Sequence, residues 1–389
     1  VKVSIIVSDI STAGAGRWGG AVRSFLLAKA LRQLDIQAEI FGFLFGEESQ
    51  ELAKLDIPVH SFQGTYYPQF LSSVSQALKK IDGDVIYAMR PKATTFGLSL
   101  LYRLKNHRPI ILDIDDWELS WHGGDKWQYQ PSLKQLTKDI LKPDGALRHP
   151  DHPVYINWME KNVKYANLIT VHTRFLQEKF GGVYIPNGKD TDLFNPDLYQ
   201  PEISRERYGL KGYRVLMFPG APRPYKGVED VLKALEILNQ PDIRLVIVGG
   251  SPYDDYDQKL RERWGQWIIK LPKFPAKLMP EIVAAADIIV VPQRNTPAAL
   301  AQFPLKLTDG MAMAKPILAT KVGDIPEILG ETGYLVEPES PQEIAQTINE
   351  IFANLDAANQ KGRKARERCV QYYSITAMSE TLSEVVARL

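Results

Sequence analysis

Short apolar runs separated by amphipathic segments recur along this chain, stop near its middle and then begin again, and this double rhythm constrains the fold more than any other feature. The first round contains Val3 to Val7, Ala38 to Phe43, Val85 to Tyr87, Ile110 to Ile114 and Leu168 to Val171, with Tyr184 to Pro186 leading into Asn187-Gly188. Between these runs lie the helical segments Ala21 to Gln33 and Phe70 to Lys80. The second round contains Val215 to Phe218, Leu245 to Val248, Ile288 to Val291 and Ile317 to Ala319, interleaved with Gly227 to Leu238 and Pro280 to Ala286. Buried strands alternating with helices build parallel sheets covered on both faces. The polar stretch Asp190 to Gly212, punctuated by Pro196, Pro201 and Gly209, suits a connection between two such units. The fold class is therefore α/β with two Rossmann-like domains: residues 1–195, residues 196–370, and a terminal helix over 371–389 that crosses back to the first domain.

Length agrees, because 389 residues exceed what one core usually organises. A hydrophobic fraction of 44% and a charged fraction of 24% are those of a globular protein. The net charge of +1 supplies no overall attraction to nucleic acid, so an anion site must be local. Cys369 is the single cysteine and cannot form an internal disulfide, which fits a reducing cytoplasm. Val1 to Val7 reads as a first strand rather than a signal peptide, and no apolar stretch reaches the length of a membrane span. The stretch Trp117 to Asn157 lacks regular periodicity and reads as a long loop, either a lid or a cover for the sheet edge.

The chemistry-bearing residues sit where strands end. Gly14, Gly16, Gly19 and Gly20 follow the first strand and precede a helix, where a phosphate can approach the backbone closely. A tight strand-to-helix connection accounts for them equally well, and they match neither the P-loop nor the dinucleotide spacing. Phe218 to Gly227 repeats the arrangement in the second half, now with Arg223 and Lys226 at the strand end, cations suited to a diphosphate. Farther on, Asp309 stands near a helix start, where its carboxylate can accept hydrogen bonds from ribose hydroxyls or simply stabilise the helix.

Several pieces in order resemble family 4 glycosyltransferases: Gly19-Gly20, Ile185 to Asp190 with Phe194 and Pro196, Gly220 with Lys226-Gly227, and Val246 to Gly250. Ala284 to Asp287 with Pro292, Met311-Ala312 with Lys315-Pro316, and Gly323 to Glu327 complete the series. The resemblance implies a GT-B fold whose domains face a cleft, and a nucleotide-sugar donor bound mainly by the second domain. It also implies retaining hexosyl transfer with no cofactor and no required metal. It assigns Arg223 and Lys226 to the leaving diphosphate and Asp309 to the ribose. Gly19, Gly20 and Gly220, together with Gln302, Phe303, Pro304, Leu305 and Lys306, are the remaining donor-binding candidates.

Departures from the family pattern are specific. Its usual arginine after the glycine is here Ala221, so Arg223 substitutes by proximity; its paired acids would fall on Ala301 and Asp309. Its first-domain histidine loop reads Asp113-Ile114-Asp115-Asp116-Trp117, so Asp115 or Asp116 takes that place, and Asp115 joins Arg223 and Lys226 as a catalytic candidate. The Asp-x-Asp spelling in the loop could signal a metal site, but it lies in the other domain from the diphosphate cations, where a metal would be redundant.

For the acceptor, Arg90 and Lys92 end a first-domain strand and, with Arg17 and Arg23, would enclose a phosphate. Trp18 and Trp121 complete the acceptor-binding candidates. The leading expectation is transfer of glucose from UDP-glucose to a sugar phosphate such as fructose 6-phosphate, giving sucrose 6-phosphate, as in sucrose-phosphate synthases. One alternative is a lipid or glycan at a membrane surface, met peripherally by Trp117, Trp121, Trp127 and Trp158. A sugar-nucleotide epimerase and a noncatalytic nucleotide-sugar binder are the other readings.

Overall fold

The computed structural model describes residues 1–11, 20–47, 56–250 and 254–388. They form two compact units, Val1–Asn187 with Met378–Leu389, and Gly188–Ala377. From sequence alone the divisions fall at 195/196 and 370/371; the structure divides the chain at 187/188 and 377/378. Backbone pairing explains the shift, since Lys189 N donates to Tyr373 O at 2.7 Å and Ile375 N donates to Lys189 O at 3.0 Å. The chain thus enters and leaves the second unit at one place.

The first unit holds a seven-stranded sheet in the order β3-β2-β1-β4-β5-β6-β7. The strands are β1 (Lys2–Val7), β2 (Gln37–Leu44), β3 (Val59–Gln63), β4 (Val85–Met89), β5 (Ile110–Ile114), β6 (Leu168–Val171) and β7 (Val183–Tyr184). All neighbours run parallel. The second unit holds a six-stranded parallel sheet in the order β10-β9-β8-β11-β12-β13. Its strands are β8 (Arg214–Pro219), β9 (Ile243–Val248), β10 (Ile268–Leu271), β11 (Ile288–Val291), β12 (Ile317–Thr320) and β13 (Tyr334–Val336). Two Rossmann-like α/β domains are what the restarted rhythm calls for.

Side-chain alternation within one strand builds both cores of the second unit. Val215 and Met217 of β8 point into a cluster with Val246, Ile289 and Leu307, whereas Leu216 and Phe218 point into another with Leu245, Ile288 and Val231. Each such side chain contributes about 1.5–3 kcal/mol by leaving water, so a strand apolar on both faces has no stable place outside a covered sheet.

In both sheets the chain leaves adjacent strands in opposite directions, at β1/β4 and at β8/β11. Ligands of open α/β sheets collect at the carboxyl ends of strands beside such switch points. The loops following β4 and β8 are therefore positioned for function by topology. The stretch expected as a loop over 117–157 instead contains the helix Leu133–Leu141 and leads into the helix Pro153–Lys161. Trp117 is buried and Trp127 stacks on Tyr129 at 6.5 Å, so these two do not make the outward aromatic surface expected of them.

Candidate functional site

In the second unit, the carboxyl end of β8 turns sharply at Gly220, whose φ of +142° suits glycine alone. Its N–H still pairs with Val248 O at 2.9 Å, so the turn begins inside the ladder. Gly227 closes the loop at φ +67°, and a Cβ there would fall 1.8 Å from Pro292 O, just beyond β11. The loop after β8 thus lies against the end of β11, at the switch point. Tyr225 Oη donates to Gln302 Oε1 at 3.0 Å, fastening the loop to the segment before the helix Leu305–Ala312.

Three cations belong to this place. Lys226 Nζ donates to Ala221 O at 2.9 Å, and Lys306 Nζ stands 4.8 Å over the Phe218 ring. Arg223 Nη1 contacts Asp254 at 2.9 Å in a partly exposed pair, the kind worth little in water. Neither Lys226 nor Lys306 forms an ion pair with a carboxylate among the described residues. Burial, with the positive charges of Lys306 and Arg223, holds Lys226 well below the usual lysine range. Burial brings Lys306 down to about 8, against the pull of Asp309. Cations made uncomfortable by burial and by one another form a strong anion site, because an arriving anion relieves both penalties. The first N–H groups of the helix at Leu305 and Lys306, ahead of its hydrogen-bonded turns, add a positive dipole end.

The other donor candidates separate. Asp309 is not at a helix start: it lies in the second turn of Leu305–Ala312 and forms an ion pair with Lys189, both mostly buried. A ribose at Asp309 would have to share it with that lysine, a partner 120 positions away in sequence. Phe303 is buried beside Tyr373 and serves the core, Pro304 precedes the helix, and Leu305 packs against the same core. Ala301 is fully buried, so no acid replaces the missing member of the pair there. Gly20 opens the helix Gly20–Arg32, while Arg17, Trp18 and Gly19 lie outside the described residues.

The first unit presents the opposite electrostatic arrangement. Asp113, next to last in β5, has no exposure, and Arg23 meets it with two bonds, Nε to Oδ2 at 2.7 Å and Nη2 to Oδ1 at 2.9 Å. Thr170 adds a third at 2.7 Å, and Arg23 Nη1 reaches Asn187 at 2.8 Å. Arg23 is therefore a buried brace, not a phosphate ligand. Arg90 follows β4 at φ +68°, an uncommon conformation for a side-chain-bearing residue. Its Nε donates to Asp115 Oδ1 and its Nη1 to Glu118 Oε1, each at 2.5 Å. Lys92 Nζ contacts Asp151 Oδ2 at 3.1 Å and Glu118 Oε1 at 3.4 Å. Arg90 and Lys92, expected to grip an anionic acceptor, are buried and neutralised by carboxylates of their own unit. Burial opposes the charge on each, and Asp115, Glu118 and Asp151 outweigh it.

Asp115 is engaged in the same way: burial raises its pKa, Arg90 outweighs that, and the carboxyl stays below its usual range. That fits a group that positions Arg90 better than one that exchanges protons. Asp116 differs from its neighbour. Its Oδ2 accepts from Trp121 Nε1 at 3.3 Å, while its buried Oδ1 has no hydrogen-bond partner. Burial pushes it up to about 7, with Arg90 opposing and the charges of Glu118 and Asp115 assisting. Of the two acids considered for this loop, Asp116 is the one poised to exchange a proton near neutrality. Trp121 is 40% exposed with its indole N–H on Asp116. Three buried cations, Arg23, Arg90 and Lys92, face five carboxylates, Asp113, Asp115, Asp116, Glu118 and Asp151.

Residues 213–354 match the family model described as glycosyl transferases group 1. This chain carries a glycosyl transferases group 1 domain. The match covers most of the second unit, including all three cations and Asp309. Among curated relatives, the GDP-mannose-dependent alpha-(1-6)-phosphatidylinositol monomannoside mannosyltransferase of Mycolicibacterium smegmatis is 27% identical over 238 residues, 57% of this chain and 62% of that protein. For the next two relatives the matched part covers 56% and 49% of their lengths. Among solved structures, HepE of Anabaena in complex with UDP and glucose superposes with a TM-score of 0.74 at 19% identity, covering 100% of this chain and 99% of that one. The sucrose-phosphate synthase of Thermosynechococcus elongatus gives 0.71 at 17% identity, covering 100% and 98%. These likenesses establish the fold, two Rossmann-like domains of the GT-B kind, as read from the sequence. No helix among the described residues is long and apolar enough to cross a membrane.

Proposed function

We propose that the group 1 domain binds a nucleoside-diphosphate sugar and that the chain transfers its hexose to an acceptor hydroxyl with retention of configuration. The observation that carries this reading is the convergence of half-buried Lys226 and buried Lys306, neither ion-paired with a carboxylate among the described residues, beside Arg223 at the switch point of the second sheet. When the bond between the anomeric carbon and the diphosphate breaks, negative charge grows on the departing oxygen. Preorganised cations in a dry site stabilise that charge more than they stabilise the intact donor. The acceptor oxygen forms the new bond on the face the diphosphate leaves, and its proton passes to a departing phosphate oxygen. Charge neutralisation by three side chains makes a divalent metal unnecessary, so activity should persist in excess EDTA. UDP-glucose is the donor to try first, because the similarly folded HepE has been crystallised with it.

For the acceptor, the engagement of Arg90 and Lys92 by Asp115, Glu118 and Asp151 favours a hydroxyl compound over a sugar phosphate. An excess of carboxylates repels a phosphate and accepts hydrogen bonds from hydroxyls. The test is mass spectrometry of reactions containing UDP-, ADP- or GDP-glucose, each alone and with neutral or phosphorylated sugars and lipid-linked glycans. The expected result is nucleotide release with a product heavier by one hexose and lacking a sugar phosphate, while donor alone stays unchanged. Conversion of the donor without acceptor would replace transfer by epimerisation. A disaccharide phosphate as the main product would overturn the acceptor reading.

A further inference from the structure

The helix Leu133–Leu141 turns Asp139 inward and leaves most of its apolar side chains in solvent. Its single acid, Asp139, is buried, accepting from Tyr129 Oη at 2.5 Å and from Gln135 Nε2 at 2.7 Å. The helix is also held close at Gly145, where a Cβ would lie 2.3 Å from Asp139 O. Arg148 fixes the following turn, donating from Nη1 to Lys142 O at 3.2 Å and from Nε to Tyr67 O at 2.6 Å. At about 100° per residue, Leu133, Ile140 and Leu141 lie on the side away from Gln135 and Asp139, while Leu136, half-buried, lies next to Asp139. Leu133 is 85% exposed, Leu141 71% and Ile140 51%.

An ordinary surface helix buries its apolar stripe against the core, so this reversal calls for a second apolar phase outside the chain. The exposed lysines Lys134 and Lys138 flank the stripe on one side, and Lys142 follows at the helix end. Over residues 133–142 the only negative charge is the inward-facing Asp139. Apolar residues flanked by lysines fit the boundary between headgroups and acyl chains of an anionic bilayer. We propose that this helix is a peripheral docking element for an anionic lipid surface. Charge selects this occupant over a second copy of the chain, since the lysines complement anionic headgroups and the same helix of a second copy offers them no exposed acid. The proposal is independent of the transfer reaction and, beside the exposed Trp121 and Trp158 expected at such a surface, adds a helix that periodicity did not reveal.

The test is flotation of the full chain with vesicles of phosphatidylcholine alone or mixed with phosphatidylglycerol, with light scattering to follow oligomeric state. The chain should float with mixed vesicles at least about tenfold better than with the neutral ones, and high salt should remove most of that preference. Leu133→Ser/Ile140→Ser/Leu141→Ser should abolish flotation without lowering the melting temperature, since these side chains contribute little to the fold. Lys134→Glu/Lys138→Glu should weaken binding by more than about tenfold. Failure of the wild type to float, undiminished flotation by the triple variant, or a dimer that the triple variant disperses would each overturn the proposal.

Discussion

The two sheets end in the same way but treat their cations differently. Beyond β4, Arg90 and Lys92 are buried with Asp115, Glu118 and Asp151 at hydrogen-bonding distance, and Arg23 is clasped by Asp113. Beyond β8, neither Lys226 nor Lys306 forms an ion pair among the described residues, and Arg223 meets Asp254 in a partly exposed pair. A cation with its anion built in is a structural element. A buried cation without one stores an electrostatic penalty that a ligand can relieve. The same residue types at equivalent topological positions therefore report packing in one domain and, on the function proposed here, donor binding in the other.

The contrast is easiest to break through stability. Arg90→Ala leaves Asp115 and Glu118 buried beside one another, and the loss should be about 3–5 kcal/mol, read as a lower midpoint in urea unfolding. An unchanged midpoint with activity lost only toward phosphorylated acceptors would return Arg90 to the acceptor site. Lys226→Ala should do the reverse: turnover falls about 100- to 1000-fold, while the melting temperature stays level or rises. Steady-state kinetics and a thermal melt on one preparation check both halves of that statement.

A smaller effect belongs to Lys306→Met, which should weaken nucleoside-diphosphate binding about tenfold without unfolding the domain. The pH dependence sharpens the same point. Lys306 sits near 8 in the folded protein, below the value of about 10.4 expected for an unfolded chain. Between those values the unfolded chain binds more protons, so this group's contribution to stability rises with pH across that window. Donor binding runs oppositely, because the diphosphate favours the charged lysine. Donor KM should therefore rise as pH passes through about 8, and binding there should take up protons. A flat KM profile from neutral to alkaline pH would remove Lys306 from the donor site.

Much of the fold was legible because central strands such as Leu245 to Val248 are apolar on both faces, a pattern with few other uses. The edge strands β3, β10 and β13 were not, being short and carrying residues such as His60, Gln63 and Lys270. The helix Leu133–Leu141 escaped notice because its buried position is an aspartate. Within the site, Arg223, Lys226 and Gln302 stood out by sitting at strand and helix ends. The engagement of Arg90 was invisible, since Asp115 and Glu118 lie 25 and 28 residues away and only the β4–β5 pairing brings them close. Lys306 was noticed for its backbone alone; its side chain became informative when Phe218 and Gly220 were seen beneath it. Pairing between distant charges depends on register and loop path, which local patterns do not encode.

The central claim is that Lys226 and Lys306, beyond β8, hold the diphosphate of the donor. Isothermal titration of UDP, ADP and GDP, repeated in buffers of different ionisation enthalpy at mildly alkaline pH, addresses it most directly. At least one nucleotide should bind with net proton uptake, and both affinity and uptake should fall in Lys226→Ala and Lys306→Met. Binding with the same affinity and the same proton count in both variants would contradict the account.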